Sequence, residues 1–317
     1  MREVDPEIAK AAAFYDEHYA GIEPLFLRPG MKKIVLGDKQ NRVCRFCGLG
    51  EPDVTFEDEA HAIPEALGNK SIATNYECDG CNNTFGKGIE NDLGNWSKPS
   101  RTFARIRGKN GVPTLKRGGP GRGWRIGYGR TGFVITQYER EPIFVVDEEN
   151  KQVRFDLKRD AYTPVAVLKA FVKIGLTLLP AVELPNFTEA LAWIREPDHT
   201  KGLVEEFPLF RTFQPGPMPN DLIVVVLMRR RASVTGVPYA FLMLAYGNEV
   251  FQVFLPSPKQ DAAIAGQRLT FPAFPTPGGP DAARYGKAHL TLLDMTGRQV
   301  VRGEIVPIVL GFDQIKR

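Results

Sequence analysis

Cysteine is scarce in this sequence, and all four cysteines lie in one short window between residues 44 and 81. A disulfide framework would spread its cysteines over a secreted fold, so this distribution favours a metal site in a reducing compartment. No apolar run reaches the length of about 20 residues that a membrane-spanning helix needs. The first 21 residues also lack the apolar segment of a signal peptide. We therefore expect a cytoplasmic protein without a membrane partner.

Several signatures of known enzyme classes are missing from the C-terminal half of the sequence. It has no nucleophile elbow and no second group of metal ligands, and it contains no internal repeat. The glycines at 108–111 and 118–123 do not follow a strand in the way that a nucleotide-binding fingerprint requires. With 317 residues the chain can form two domains, or one domain with an added module. The cysteine window is the part that points to a function.

The four cysteines form two pairs, and each pair has two residues between its members: Cys44 with Cys47, and Cys78 with Cys81. Each such turn can direct two thiolates at one ion, so the spacing is typical of a tetrahedral zinc site. Four thiolates fill the coordination sphere, so this Zn²⁺ would hold the fold and take no part in chemistry. Two disulfides, or four unrelated thiols, are the alternative reading.

A histidine lies between the two cysteine pairs, in the run EAHAIP that contains His61. Joining the pairs through zinc would bring His61 close to the first turn of a helix that carries Asn82 and Asn83. A neutral imidazole opposite a divalent cation can take a proton from water while the cation neutralises charge on a phosphate. Amide and carboxylate oxygens are ligands that suit Mg²⁺. The window therefore predicts a hydrolytic site.

Acidic residues are absent from residues 97–130, although basic residues recur there together with Trp124 and Tyr128. Basic side chains interleaved with aromatic rings are typical of a surface that contacts a phosphate backbone. The alternative is that these charges only keep a hairpin soluble. The residues predicted to contact nucleic acid are Arg101, Arg105, Arg107, Lys116, Arg117, Arg122 and Arg125.

The apolar pattern of the whole chain predicts an α+β protein with a mainly antiparallel sheet. Helices are predicted over 5–20, after a capping residue Asp79, over 163–179, and from a capping residue Asn186 onward. Residues 54–56 and 59–63 are predicted to form a hairpin. Other strands are predicted at 33–36, 124–128, 133–137, 143–147, 152–157, 221–230, 238–245, 250–255, 289–294 and 302–309.

The window resembles the HNH endonuclease family. The resemblance rests on the HAIP run that begins at His61, on Asn75, and on the CDGCNN run that begins at Cys78. It covers roughly residues 43–96 and implies the family's ββα-metal finger. By this resemblance His61 is the general base, Asn75 braces the loop and orients that base, and Asn82 is a metal ligand, with Asn83 as second choice.

One position departs from the family's pattern. The family usually has a metal ligand directly before this histidine, and this chain has Ala60, which cannot ligate. On an extended strand Glu59 and His61 share a face because side chains alternate, so Glu59 is the predicted substitute. Asp58 is the other candidate.

Together these patterns predict a zinc-stapled ββα-metal finger followed by a larger, mainly antiparallel α+β domain. The predicted divisions are an N-terminal segment at 1–42, the finger at 43–97, and a C-terminal domain at 98–317 that begins with the basic stretch 98–130.

The leading hypothesis is a metal-dependent endonuclease that hydrolyses phosphodiester bonds, in DNA rather than RNA. Glu59 and Asn82 would hold Mg²⁺ or another divalent ion beside His61. The resemblance is compatible with a homodimer, because family members often pair to cut both strands. The alternative hypothesis, which Ala60 supports, is a noncatalytic zinc-ribbon module that binds nucleic acid or protein. A sensing or targeting role for the C-terminal half rests on analogy alone.

Overall fold

The computed structural model describes residues 5–130, 132–138, 142–203, 208–276 and 282–314. The α-helices are α1 (Pro6–His18), α2 (Asp79–Lys87), α3 (Ile89–Phe103), α4 (Pro164–Leu178), α5 (Thr188–Arg195), α6 (Pro258–Asp261) and α7 (Ala282–Tyr285). The strands are β1 (Tyr19–Leu27), β2 (Ile34–Leu36), β3 (Ala60–His61), β4 (Ile72–Thr74), β5 (Leu115–Arg117), β6 (Trp124–Gly129), β7 (Gly132–Gln137), β8 (Phe144–Asp147), β9 (Gln152–Lys158), β10 (Pro208–Phe213), β11 (Ile223–Arg230), β12 (Ala240–Tyr246), β13 (Glu249–Leu255), β14 (His289–Asp294) and β15 (Ile305–Gly311). Short 3-10 turns lie at Glu65–Leu67, Ala181–Asn186 and Ala262–Ile264.

The strands form antiparallel sheets with one parallel pair. The largest sheet has six strands in the order β1-β11-β12-β13-β10-β14. Two further sheets, β5-β6-β7 and β15-β9-β8, are three-stranded and antiparallel. A third, β2-β4-β3, contains the parallel pair β2 and β4. The predicted mixed α+β class with mainly antiparallel sheets is confirmed.

Helix α4 is the central helix of the molecule. Thr163 is its N-cap, Pro164 occupies the first helical position, and the chain leaves the helix before Pro180. Its side chains are buried along almost the whole length, and it packs against α3 and β13. The prediction of a buried helix over 163–179 is therefore confirmed.

One hydrophobic core joins the cysteine window to the sheet. Phe46 packs on Phe85 with ring centroids 4.9 Å apart, and Trp96 contacts Phe171 of α4 at 6.2 Å. Phe171 in turn lies 4.9 Å from Phe251 of β13. These rings belong to a single buried cluster. Helix α3 continues through residue 97, where the sequence predicts a domain boundary. The division of the chain into domains stays a prediction.

Four strands were missing from the sequence prediction: β1, β4, β5 and β10. Strand β1 contains Pro24. Proline removes a hydrogen bond between strands and usually indicates the end of a strand, so the sequence did not predict β1. The structure accommodates Pro24 with a shift in register between Ile22 and Leu25, opposite β11. Strand β10 follows residues that lie outside the described part of the chain, and it pairs with β13 and β14.

Two predicted helix caps are wrong. Helix α5 begins at Thr188 and its N-cap is Phe187, because Asn186 lies in the preceding 3-10 turn. There its amide donates to Glu183 and to the hydroxyl of Tyr239. Helix α2 has Cys78 as its N-cap, so Asp79 is already inside the helix. In both places the predicted capping side chain forms hydrogen bonds with other parts of the fold instead of capping the helix.

The predicted hairpin of 54–56 with 59–63 is also wrong. His61 pairs instead with Ala73 of β4, in an antiparallel register. Residues 54–56 form no strand. Within the described part of the chain, no helix is long and apolar enough to cross a membrane.

Candidate active site

The four cysteines converge on one point. Their Sγ atoms all lie within 4.8 Å of one another, and the Sγ atoms of Cys47 and Cys78 are 3.8 Å apart. A tetrahedral Zn²⁺ with Zn–S bonds of about 2.3 Å separates its sulfur ligands by about 3.8 Å. The four thiols therefore fit a zinc ion, and they could hold one here.

Local backbone structure places each cysteine pair. In the first pair the N–H of Gly48 donates to the carbonyl of Cys44, at 2.8 Å, and Gly48 has a φ of 76°, which glycine adopts without strain. In the second pair Cys78 is the N-cap of α2, so Cys81 lies in the first helical turn. A helix N-terminus favours negative charge, which suits thiolate ligands.

The crowding of the thiols changes their acidity. A hydrogen bond from Cys81 lowers the pKa of Cys44 to about 4, whereas burial raises the pKa of Cys78 to about 11. Without a metal, some of the four thiols therefore hold their protons at neutral pH. Metal ligation requires thiolates, so binding of a zinc ion would release those protons.

Asp79 fixes the segment that leads into β3. Its carboxylate accepts hydrogen bonds from the N–H of Glu57, at 3.0 Å, from the N–H of Asp58, at 2.9 Å, and from the hydroxyl of Thr55. Burial opposes the effect, but these hydrogen bonds hold the pKa of Asp79 below its usual value. Asp79 thus ties α2 to the approach to His61.

His61 lies beside Glu59 on the outer face of the finger. His61 Nε2 is 3.6 Å from one carboxylate oxygen of Glu59, and the other oxygen pairs with Lys33 Nζ. The hydrogen bond from Lys33 lowers the pKa of Glu59. Side-chain exposure is 23% for His61 and 52% for Glu59, so water and ions can reach both. The shared face predicted from strand alternation is present.

Ala60 faces the opposite way. Its exposure is 1%, so a carboxylate at this position would be buried in the core. In this chain a ligand beside His61 can therefore come from Glu59, one residue earlier, and not from the position directly before the histidine. Asp58 is exposed and stays the second candidate.

The predicted asparagines lie around the same finger. The amide of Asn75 donates to the carbonyl of Gly37 at 3.3 Å, which ties the end of β4 to the loop after β2. Asn82 is half-buried in the first turn of α2, and Asn83 is exposed. Among the described residues, no hydrogen bond joins His61 to Asn75 or Asn82, and the Asn82 amide itself is unbonded. Asn82 therefore keeps its amide oxygen available as a ligand.

Asn69 was missing from the sequence prediction. It is fully buried, and its amide donates to the carbonyls of Ile63 and Ile72, each at 2.8 Å. Its Oδ1 accepts from the N–H groups of Ser71 and Ile72, each at 3.0 Å. It braces the loop between β3 and β4, and so the strand that carries His61. The Gly-Asn pair in a turn was the available signal, because asparagine often bonds to the backbone two residues on.

The basic residues predicted to contact nucleic acid differ in their surroundings. Arg101 is buried and donates to the carbonyls of Ala66 and Gly94, at 2.8 and 2.7 Å, so it supports the fold from inside. Arg125 is half-buried and donates to the carbonyl of Gly119. The exposed ones are Arg105, Arg107, Lys116, Arg117 and Arg122.

The fold and the site together define a finger in which four clustered cysteines could hold zinc, a strand carries a histidine, and a helix follows. Residues 44–96 match the family model described as HNH endonuclease. The matched segment is about a sixth of the chain and contains the four cysteines and His61. The resemblance found in the sequence is confirmed for this segment, and the rest of the chain lies outside the match. No curated protein and no solved structure matches the chain.

Proposed function

We propose that this protein is a metal-dependent endonuclease that hydrolyses phosphodiester bonds of DNA. The observation that carries the proposal is the HNH match over residues 44–96, within which His61 is partly exposed and 3.6 Å from Glu59, and the four cysteines cluster. Family membership supports a nuclease. The choice of DNA and the catalytic activity of this chain are our proposal.

His61 acts as the general base. Its neutral imidazole accepts a proton from the attacking water, and Glu59 at 3.6 Å stabilises the imidazolium that forms. Asn69 and Asp79 hold the two ends of the segment that positions His61, so the ring meets the substrate without large rearrangement.

Glu59 and Asn82 would hold a divalent ion. A carboxylate and an amide oxygen form the type of ligand set that Mg²⁺ uses with its remaining waters. Bound there, Mg²⁺ would supply electrostatic stabilisation of the phosphate and its leaving oxygen. Lys33 holds Glu59 in this structure and must give up part of that contact when the ion binds.

A noncatalytic zinc-ribbon module is the second candidate. It is favoured by Ala60 at the family's usual ligand position and by the pairing of Glu59 with Lys33. It predicts salt-sensitive binding of nucleic acid without turnover.

Supercoiled plasmid distinguishes the two functions. We expect the purified protein to nick plasmid only when Mg²⁺ or Mn²⁺ is added, while its zinc content stays constant. Asn82→Ala should need a higher concentration of the added ion, and Asn83→Ala is the matched control on the next residue. Binding without nicking at any concentration of either ion would contradict the endonuclease and support the module.

A further inference from the structure

A cationic cleft lies beside the finger, and the proposed chemistry does not use it. Arg28, Lys70, Arg105 and Arg107 line this hollow of about 450 Å³, together with one carboxylate, that of Asp221. A smaller hollow of about 200 Å³ shares Arg105 and Arg107 and extends to Tyr128 and Arg130. The two hollows form one continuous basic surface.

The cationic groups of the cleft are available to a ligand. Arg28, Lys70, Arg105 and Arg107 are exposed, and none of them forms an ion pair with a described residue. Arg105 also lies over the ring of Tyr128, with 5.4 Å between guanidinium and ring centroid. Asp221 offsets one charge, so the cleft keeps a clear positive excess. Unpaired arginines around a hollow suit phosphate groups, which they can bind with two hydrogen bonds.

Arg105 occupies a backbone position where glycine is the usual residue. The N–H of Ile106 donates to the carbonyl of Arg101, at 2.9 Å, and the N–H of Arg105 to that of Thr102, at 3.2 Å. These are the two bonds of a Schellman motif at the end of α3, and Arg105 has the left-handed φ of 59° that the motif requires. A non-glycine residue is strained there, and such strain persists most often at functional sites. Glycine would relieve this strain, but it would remove the guanidinium that lines the cleft.

The cleft begins close to the strand that carries His61. Lys70 and Ser71 belong to the loop between β3 and β4 that Asn69 braces, and both line the cleft. Ser71 lies two residues before Ala73, which pairs with His61. Two residues of extended chain span about 7 Å. A polyanion that reaches His61 can thus extend along the sheet into the cleft.

We propose that this cleft binds the phosphodiester backbone of the nucleic acid next to the scissile bond. The inference rests on the proposed function for the identity of the ligand. It assigns substrate positioning to Arg28 and Lys70, which sequence reasoning did not select, and it singles out Arg105 and Arg107 within the basic stretch.

Binding of a fluorescein-labelled DNA duplex tests the proposal. The His61→Ala protein, without added divalent ion, is titrated by fluorescence anisotropy at several salt concentrations. Arg105→Gly in that background should weaken binding about tenfold, the size of one charged hydrogen bond. It should also lower the slope of log K against log salt by about 1. Its melting temperature should stay equal or rise, because glycine relieves the left-handed strain.

Lys151→Gly is the matched control. Lys151 is exposed, has a φ of 52° and lies in the turn between β8 and β9, so the change removes one positive charge and the same strain away from the cleft. It should leave the binding constant unchanged. Lys70→Ser with Arg107→Ser is a second variant that leaves the Schellman position intact, and it should weaken binding more than Arg105→Gly does.

Two results would overturn the inference. One is a binding constant for the duplex that is the same for both cleft variants and for Lys151→Gly. The other is a protein in which Arg105→Gly abolishes the binding of inorganic pyrophosphate but leaves duplex binding intact. That result would assign the cleft to a small phosphate compound. The proposed function is judged separately. If cleft variants lose duplex binding but no form of the protein nicks plasmid, the cleft assignment stands and the endonuclease does not.

Discussion

Lys33 and a metal ion compete for the same carboxylate in the proposed site. Glu59 pairs with Lys33 through one oxygen and lies 3.6 Å from His61 through the other. Glu59→Ala should therefore raise the Mn²⁺ concentration that gives half-maximal nicking by at least tenfold. Lys33→Met should lower that concentration, because the carboxylate is released.

The control for this pair of variants is Glu57→Ala, which removes an exposed carboxylate two residues away. Its dependence on Mn²⁺ should match that of wild type. If Glu59→Ala and Glu57→Ala titrate alike, Glu59 is not a ligand and Asp58 becomes the residue to change.

Glu196 gives stability that depends on pH. Burial raises its pKa, but hydrogen bonds from the N–H and hydroxyl of Thr200 and from Lys169 outweigh this and lower the pKa to about 2. A carboxylate with a lowered pKa in the folded state stabilises above its unfolded pKa near 4.5, and the contribution is lost as pH falls toward 2.

Glu196→Gln should therefore destabilise the protein at pH 7 and make little difference at pH 2.5, as measured by urea unfolding at both values. Glu189→Gln, on the exposed side of α5, is the control and should change neither value. A constant effect of Glu196→Gln at both pH values would show that the ionised carboxylate is not the source of the stabilisation.

At the level of elements, a buried ion cluster joins the finger to α4. Lys173 Nζ lies 2.7 Å from carboxylate oxygens of both Glu77 and Glu90, and the side chains of Lys173 and Glu77 are at most 1% exposed. Glu77 directly precedes Cys78, so α4 is connected to the second cysteine pair through this contact. Burial of such a cluster is tolerated only while its charges stay paired.

Lys173→Met should lower the free energy of unfolding by about 3–5 kcal/mol, because Glu77 is left buried without its partner. Adding Glu77→Leu to Lys173→Met should restore part of that loss. The measurement is a double-mutant cycle from urea midpoints. Additive effects of the two changes would mean that the residues are not coupled in the fold.

Elements with a regular local pattern were predictable from sequence, and those fixed by distant partners were not. The spacing of the cysteines, the buried face of α4 and the alternation of Glu59 and His61 are local patterns, and the structure has all three. The pairing of β3 with β4 crosses the loop that Asn69 braces, and the continuation of β1 past Pro24 depends on β11, which is far away in sequence. The role of Asp79 was also not predictable from local sequence, because its carboxylate accepts hydrogen bonds from Thr55, Glu57 and Asp58 instead of capping its own helix.

The cationic cleft could not be predicted for a similar reason. Arg28 directly follows β1, Lys70 follows the 3-10 turn of the finger, and Arg105 follows α3, so three separate parts of the chain converge. Composition could mark residues 97–130 as basic, but it could not separate Arg105, which lines the cleft, from Arg101, which is buried.

In the molecule as a whole, the four-cysteine cluster is part of the common core. The guanidinium of Arg45, inside the first cysteine pair, donates to the carbonyls of Leu176, Thr177 and Leu179 at the end of α4, at 2.7–2.8 Å. Arg195 of α5 donates to the carbonyl of Phe46, at 2.7 Å. Loss of the metal should therefore disturb α4 and α5 as well as the finger.

We expect a zinc chelator to lower the melting temperature of the entire chain, because metal binding and folding are linked. Trp96 and Trp193 lie in this core, so tryptophan fluorescence can be followed together with zinc release by a colorimetric chelator. The two signals should change at the same temperature. Release of zinc well below the tryptophan transition would show instead that the finger unfolds by itself.

The rate of plasmid nicking at saturating Mg²⁺ tests the role of His61 as general base. Wild type and His61→Ala are compared at equal zinc content and equal melting temperature. A general base contributes about 10²–10⁴-fold to the rate, so His61→Ala should nick at least 100-fold more slowly, while its affinity for duplex DNA is kept. Equal nicking rates for the two proteins would contradict the role of His61 as general base, because the activity would then come from another residue or from a contaminant.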